Sequence, residues 1–457
     1  MRGFVLPLLA IASLTLYASK PNIVYIISDD QYFGDFGFMG NEVVQTPHLD
    51  RLASQSAVYP NGYVPSSVCR PSLVSLLTGL YPHQHGVHFN HPPPGFQKLT
   101  QDPEMTKARY DALRERGASL IKDLDTLPRL LAQNGYRCLQ TGKYWEGHWR
   151  NAGFTEGMTL AEPSGGPNGD KVLPNGEIVA HGNGDAGLAI GRETMQPIEA
   201  FIEDCGSEQP FLIWYAPFLP HTPHDSPERY QQLYDEDSIP EHKRAYYAAI
   251  TQFDDTVGKL VHMIESRNLA RNTLFVFVVD NGFEPRVERP SQYTKQSKRS
   301  PFEPGIRTPI LLRFDGRISP GTREGLVSSL DLYPTALSVA GAESVTSGPG
   351  INLMPSATST KKGISLDRVV FGEIYPGDAS VLGKPASDVS YLWIRLGSFK
   401  LIRPVSDPPW NNYVSSDQLF DLSSDPSESR NLAMDPDHSA ILSKLRQRLV
   451  DWWNPVQ

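Results

Sequence analysis

Short apolar runs that close on polar pairs recur along this chain, and they constrain its fold more than any other feature. Ile23 to Ile27 ends in Ser28-Asp29-Asp30, and Phe211 to Tyr215 leads to Pro220-His221. Leu274 to Val279 ends in Asp280-Asn281-Gly282, and Pro309 to Phe314 follows. Runs of this length and apolarity read as strands buried on both faces. Helical patterns lie between them, over Thr46 to Gln55, Pro71 to Leu80, Leu127 to Asn134 and Ala245 to Ser266. The alternation predicts an α/β fold, a mostly parallel central sheet flanked by helices. In open sheets of this kind ligands bind beyond the carboxyl ends of the strands. Both acidic pairs are therefore expected on one edge.

The 457 residues suit two domains, or one large domain with an appendage. An α/β domain is expected over residues 19–340, then a linker from Gly341 to Gly363, then a smaller C-terminal α+β domain over 364–457. The smaller domain is read from a hairpin pattern over Val389 to Ile402, broken at Gly397-Ser398, and a short strand over Gln418 to Leu422. A final helix has Ile441, Leu442, Leu445, Leu449 and Trp452 on one face. Residues 1–18 have a basic start, an apolar stretch and small residues before Lys20, the pattern of a secretory signal peptide. Export to a periplasm or the extracellular space is expected. No apolar run suits a membrane span. A net charge of −9 argues against nucleic acid as a partner, while leaving room for a local basic pocket. Pro163 to Asp185 and Phe89 to Pro103 read as long loops bordering a cleft.

Three cysteines are present, and Cys69 stands out. It precedes Arg70-Pro71, and a proline there suits the first turn of a helix. A helix N-terminus gathers N–H donors and favours anions. Cys138 and Cys205 are open to two readings, as a pair or as small buried residues. Asp29, Asp30, Asp280 and Asn281 offer carboxylate and amide oxygens without clustered histidines. That donor set favours a hard cation, Ca²⁺ first and Mg²⁺ second, over a two-zinc phosphatase site.

Several blocks in order resemble the sulfatases. Pro21 to Asp30, Thr46 to Ala53, and Ser67 to Leu73 with Thr78-Gly79 are three of them. Gly142-Lys143, Pro220-His221-Thr222-Pro223, Asp280-Asn281-Gly282 and Phe302 to Pro309 follow, then Leu419 to Pro426 with Asn431-Leu432-Ala433. The resemblance implies an alkaline-phosphatase-like fold. It implies that Cys69 is oxidised to formylglycine by a formylglycine-generating enzyme, a partner during maturation. It also implies that Asp29, Asp30, Asp280 and Asn281 bind the cation together with residue 69. Lys143 and Lys298 would then clamp sulfate, with Lys295 a local competitor for Lys298. His221 would hydrogen-bond the bridging oxygen or protonate the leaving alcohol, with His224 a weaker candidate. His83 and His85 are expected to hold the loop after the cysteine helix.

Two positions depart from the pattern. Leu73 stands where the family has arginine, and Arg70 is the candidate to supply that charge. Trp145 stands where the family has histidine. Either His148 substitutes for it, or Tyr144, Trp145 and Trp149 form an aromatic platform for a sugar. The expected activity is sulfuric ester hydrolysis, on a sulfated small molecule or glycan. Its alternatives are a non-catalytic protein that binds sulfated glycans, and a phosphodiester or phosphonate hydrolase of the same superfamily.

Overall fold

The computed structural model describes residues 20–455, apart from 92, 166–169, 183–184, 236, 345–346, 360–362, 376 and 406–412. The expected signal peptide lies outside the described residues. The strands in chain order are β1 (Asn22–Ser28), β2 (Ala57–Tyr63), β3 (Arg137–Gly142), β4 (Glu156–Gly157), β5 (Lys171–Val172), β6 (Ile178–Val179), β7 (Phe211–Ala216) and β8 (Thr273–Val279). They continue with β9 (Arg307–Arg313), β10 (Gly321–Thr322), β11 (Val327–Ser328), β12 (Val369–Ile374), β13 (Tyr391–Leu396), β14 (Phe399–Pro404) and β15 (Gln418–Asp421).

The central sheet runs β10-β2-β9-β8-β1-β7-β3-β4, with β11 also on β2. β1 pairs in parallel with β7 and β8, and β3 in parallel with β7 and β4. β9 alone is reversed, antiparallel to both β2 and β8. Alternation of side chains splits each inner strand between two cores. Ile23, Tyr25 and Ile27 face one core with Leu212, Trp214, Leu274 and Val276. Val24 and Ile26 face the other with Phe211, Ile213, Phe275 and Phe277. Burial on both faces is why these segments carry no polar alternation. Each large side chain buried this way contributes about 1.5–3 kcal/mol.

Helix α1 (Pro47–Ser54) carries proline in its first turn. The Asp254 carboxylate accepts from the N–H groups of His48 (3.0 Å) and Leu49 (2.7 Å) there. Helix α2 (Cys69–Thr78) is buried along its whole length and stops at Gly79, which has φ +68°. β12 to β15 form a separate antiparallel sheet. One face packs on Leu442, Leu445 and Leu449 of the helix Ser439–Trp452. The other face, through Tyr391, Trp393, Ile402 and Phe420, packs on Tyr63, Val64 and Ile306 of the first unit. The mostly parallel sheet with flanking helices, and the small C-terminal sheet with its helix, match the expected fold class.

Candidate active site

The carboxyl edge of the central sheet gathers the chemistry. β1 delivers Asp29 and Asp30, β8 delivers Asp280 and Asn281, and β3 delivers Lys143. α2 begins at Cys69 beside them. Gly142 has φ +75°, and a Cβ there would lie 1.9 Å from the Ala216 carbonyl oxygen. Only glycine therefore passes the chain to Lys143 beside β7. Asp30 also has a left-handed backbone, with φ 62°. Its N–H donates to Asp280 Oδ1 at 3.0 Å, which holds the unusual conformation and ties the two strand ends together.

The side chains interlock. Lys143 Nζ lies 2.6 Å from Asp29 Oδ1 and 3.9 Å from Asp280 Oδ2. Lys298 Nζ lies 2.6 Å from Asp30 Oδ2, and His221 Nε2 lies 3.3 Å from the same oxygen. Asn281 Nδ2 donates to Asp30 Oδ1 at 2.7 Å. Cys69 Sγ is 4.0 Å from Asp29 Oδ1 and 3.8 Å from Asp30 Oδ1. Lys298 is anchored through its neighbour, since the Arg299 N–H donates to the Ser67 carbonyl at 2.9 Å. Of the two candidate lysines in this segment, Lys298 meets the cluster.

Burial lifts Asp29 well above the usual carboxylate range and raises Asp280, against the pull of Lys143 on both. Burial also opposes charge on Asp30, but Lys298, through its charge and its hydrogen bond, outweighs it and holds that carboxyl below its usual range. Burial pushes the Cys69 thiol up to about 12, despite Lys143 and Lys298. An unmodified thiol is therefore protonated at neutral pH and a poor nucleophile. Burial holds His221 neutral, well below its ordinary value. Its Nδ1 faces the Thr222 carbonyl at 2.6 Å, which assigns the proton to Nδ1 and leaves Nε2 as the group facing Asp30.

The donor set fits a divalent ion. Asp29 Oδ2, Asp280 Oδ2 and Asn281 Oδ1 are buried and have no hydrogen-bond partner. Ligand atoms of Asp29, Asp30, Cys69 and His221 lie within 4.8 Å of one another. Buried oxygens without partners are costly, and a hard cation among them removes that cost.

Two sequence candidates go elsewhere. Arg70 does not supply the charge absent at Leu73. Its side chain is fully buried, with Nε and Nη2 donating to Glu146 at 2.6 and 2.7 Å and Nη2 also to the Gly117 carbonyl at 2.8 Å. His148 does not replace the missing histidine. Its ring engages Arg150, accepting the Arg150 N–H at 3.2 Å and so capping the Trp149–Ala152 turn. Tyr144, Trp145 and Trp149 pack into the core, leaving no open platform. Leu73 joins Leu76 and Leu77 in that core.

His85 bonds Ser75 Oγ and His83 pairs with Glu373, both structural contacts. His224 packs against Tyr246 and Phe283. Cys138 and Cys205 are free thiols. Sequence reasoning missed Glu146, and also Asn90, whose Oδ1 accepts the Arg70 N–H at 3.0 Å. Neither sits in a recognisable motif.

Comparison with known proteins agrees with this geometry. The Sulfatase family model matches residues 21–342, and the model for the N-sulphoglucosamine sulphohydrolase C-terminal region matches 292–454. N-acetylgalactosamine-6-sulfatase from Homo sapiens is 26% identical over 412 residues, covering 84% of this chain and 73% of the relative. Arylsulfatase A from Homo sapiens is 28% identical over 473 residues, covering 93% and 86%. The structure of Ps i-CgsB in complex with k-i-k-neocarrahexaose has a TM-score of 0.71 at 23% identity, covering 96% and 94% of the two chains. With seven-tenths of its length matched by the family model and its cysteine helix set among paired acids and lysines, this chain belongs to the sulfatase family.

Proposed function

We propose that this protein is an exported hydrolase that releases sulfate from a sulfated carbohydrate, using formylglycine derived from Cys69 and a divalent cation, Ca²⁺ before Mg²⁺. The convergence of Asp29, Asp30, Asp280, Asn281, Lys143, Lys298 and His221 on Cys69 carries this reading. The comparisons support a carbohydrate substrate: one relative is an N-acetylgalactosamine-6-sulfatase, and a similar fold was solved in complex with k-i-k-neocarrahexaose. In this reading residues 19–340 are the catalytic domain and residues 364–457 a smaller C-terminal domain.

Asp29, Asp30, Asp280 and Asn281 would hold the cation, which supplies charge to polarise a sulfuryl oxygen and to acidify a hydroxyl. Lys143 and Lys298, each held against one of these carboxylates, would offer their positive charge to the sulfate oxygens. Residue 69, as the hydrated aldehyde, would present one hydroxyl to sulfur. The new S–O bond forms as the bond to the alcohol breaks, and the alcohol takes a proton. His221 Nε2, which carries no proton at rest, would take the proton of the attacking hydroxyl and pass it to the leaving alcohol. Loss of the second hydroxyl's proton, to the His221 Nε2 freed in the first step, would then expel sulfate and restore the aldehyde.

The test is the mass of the Cys69 peptide together with sulfate release. Protein matured with a formylglycine-generating enzyme is expected to carry an aldehyde at residue 69 and to free sulfate from carbohydrate esters. A thiol throughout, with no sulfate freed, refutes the proposal. Matched phosphate and phosphonate esters test the near alternative. One observation favours a second reading, binding without turnover. Leu73 lies in the core, where the family's arginine has no counterpart. Tight binding of a sulfated glycan that survives Cys69→Ala, with no turnover by the parent, would select it.

A further inference from the structure

Two adjoining clefts separate the Lys298 segment from the C-terminal sheet, and no role above uses them. Gln296, Phe302 and Tyr413 line both. One encloses about 500 Å³ and adds Glu284 and Lys295. The other encloses about 470 Å³ and adds Gln418 and Asn431. Each volume lies within the range of ligand sites, about 300–1,000 Å³. The chain itself sets their place. Gln296 stands two residues before Lys298, which grips Asp30, and Glu284 stands three residues after Asn281.

The walls are locked before any ligand arrives. Lys400 Nζ, fully buried, bridges Glu303 Oε1 at 3.1 Å and Glu428 Oε1 at 2.7 Å. The Glu303 N–H donates to Glu428 Oε2 at 2.6 Å, and the Tyr63 hydroxyl donates to Glu303 Oε2 at 2.8 Å. Glu303 directly follows Phe302 on one wall, and Glu428 itself lines the other. This network ties the C-terminal sheet to the segment that carries Lys298. Walls held in place this way lose little freedom when a ligand binds.

The lining chemistry is selective. Phe302 and Tyr413 offer ring surfaces. Gln296, Gln418 and Asn431 offer amides that both donate and accept, as vicinal hydroxyls require. Among the lining residues the cation is Lys295; the acids are Glu284, which shares its cleft, and Glu428, which lines the other cleft and is paired with Lys400. A second sulfate would call for guanidinium or paired ammonium groups. We propose that this cleft binds an unsulfated sugar residue adjoining the sulfated one, and so selects oligosaccharides over monosaccharides. The proposal rests on the carbohydrate-sulfate reading above.

The experiment is isothermal titration of Cys69→Ala protein, which cannot turn over. The probes are a panel of hexose and hexosamine sulfates, each compared with the oligosaccharide that adds a neutral or a sulfated neighbour. A neutral neighbour is expected to tighten binding about tenfold. Tyr413→Ala and Gln418→Ala are expected to erase that gain, while leaving monosaccharide affinity unchanged. Placed in the parent, they are expected to leave aryl sulfate turnover unchanged. Equal affinity for both lengths, a gain confined to sulfated neighbours, a gain that survives both substitutions, or no binding by any probe overturns the proposal. Sulfate release is measured separately on the parent. Its absence sinks the hydrolase reading, while the affinity comparison still decides the cleft.

Discussion

Glu146→Gln is the sharpest test of how the cysteine helix is held. The Arg70 side chain is 0% exposed and that of Glu146 is 2% exposed. Two charge-assisted hydrogen bonds of 2.6 and 2.7 Å join them. Glutamine keeps one acceptor oxygen but turns an NH₂ group towards the second guanidinium donor. The guanidinium then stays buried and uncompensated, apart from the Gly117 carbonyl and the Phe89 ring 5.0 Å away. Removing one partner of a buried pair costs about 3–5 kcal/mol. A loss near 4 kcal/mol is expected in equilibrium urea denaturation, a large share of a typical total of about 5–15 kcal/mol. Glu146 lies three residues after Lys143, so the same change is expected to lower kcat for sulfate release. Replacing both partners, as Arg70→Met with Glu146→Leu, removes the stranded charge and is expected to recover at least half of the lost stability. A single-variant loss below about 1 kcal/mol, or a double variant no better than the single, refutes a pair that matters through buried charge.

Other consequences follow from the same geometry. The oxygens of Asp29, Asp280 and Asn281 that have no hydrogen-bond partner predict stabilisation by Ca²⁺, about 2.7 kcal/mol at a hundredfold excess over Kd. An unchanged melting temperature between chelator and calcium would contradict the proposed cation site. Gly142→Ala forces a Cβ to 1.9 Å from a backbone oxygen at φ +75°. It is expected to cost more than about 1 kcal/mol of stability and to lower sulfate release, and a neutral outcome in both assays refutes the glycine requirement. The backbone N–H of Arg430, then those of Ser429 and its hydroxyl, hold the Asp425 carboxyl down to about 2. Its folded pKa lies below the unfolded value, so the stability it contributes is present above the ordinary aspartate range and is lost as pH falls through about 2. An NMR titration giving a midpoint near 3.8 instead would show that the turn does not hold the carboxylate.

Strands buried on both faces announce themselves, which is why β1, β7 and β8 were legible as uninterrupted apolar runs. β2 was not, because Pro60, Asn61 and Gly62 interrupt its pattern while it pairs with β9 across an irregular register. The reversal of β9 was also hidden, since hydrophobicity carries no direction. The helix Lys107–Ala118 is mostly polar, with Tyr110, Arg114, Gly117 and Ala118 as its buried residues. It left little apolar period to find.

The site divides along the same line. Asp29 and Asp280 take their positions from the ends of the strands that carry them, so local sequence sufficed to place them on one edge, whereas Lys143 was found through the Gly142-Lys143 block of the resemblance. The destination of Arg70 depended on Glu146, 76 residues away, and on whether the loop after β3 folds back over the first turn of α2. Nothing local distinguishes an arginine aimed at a ligand from one aimed at a distant carboxylate. Leu73 makes the structural alternative intelligible. With an aliphatic residue one turn after Cys69, that face of α2 packs into the core, and Arg70 is the charge that remains to be satisfied. Glu146 satisfies it while standing three residues from Lys143. The pair thus joins the cysteine helix to the segment bearing a proposed sulfate-binding lysine, a mechanical link that does not require Arg70 to reach the sulfate.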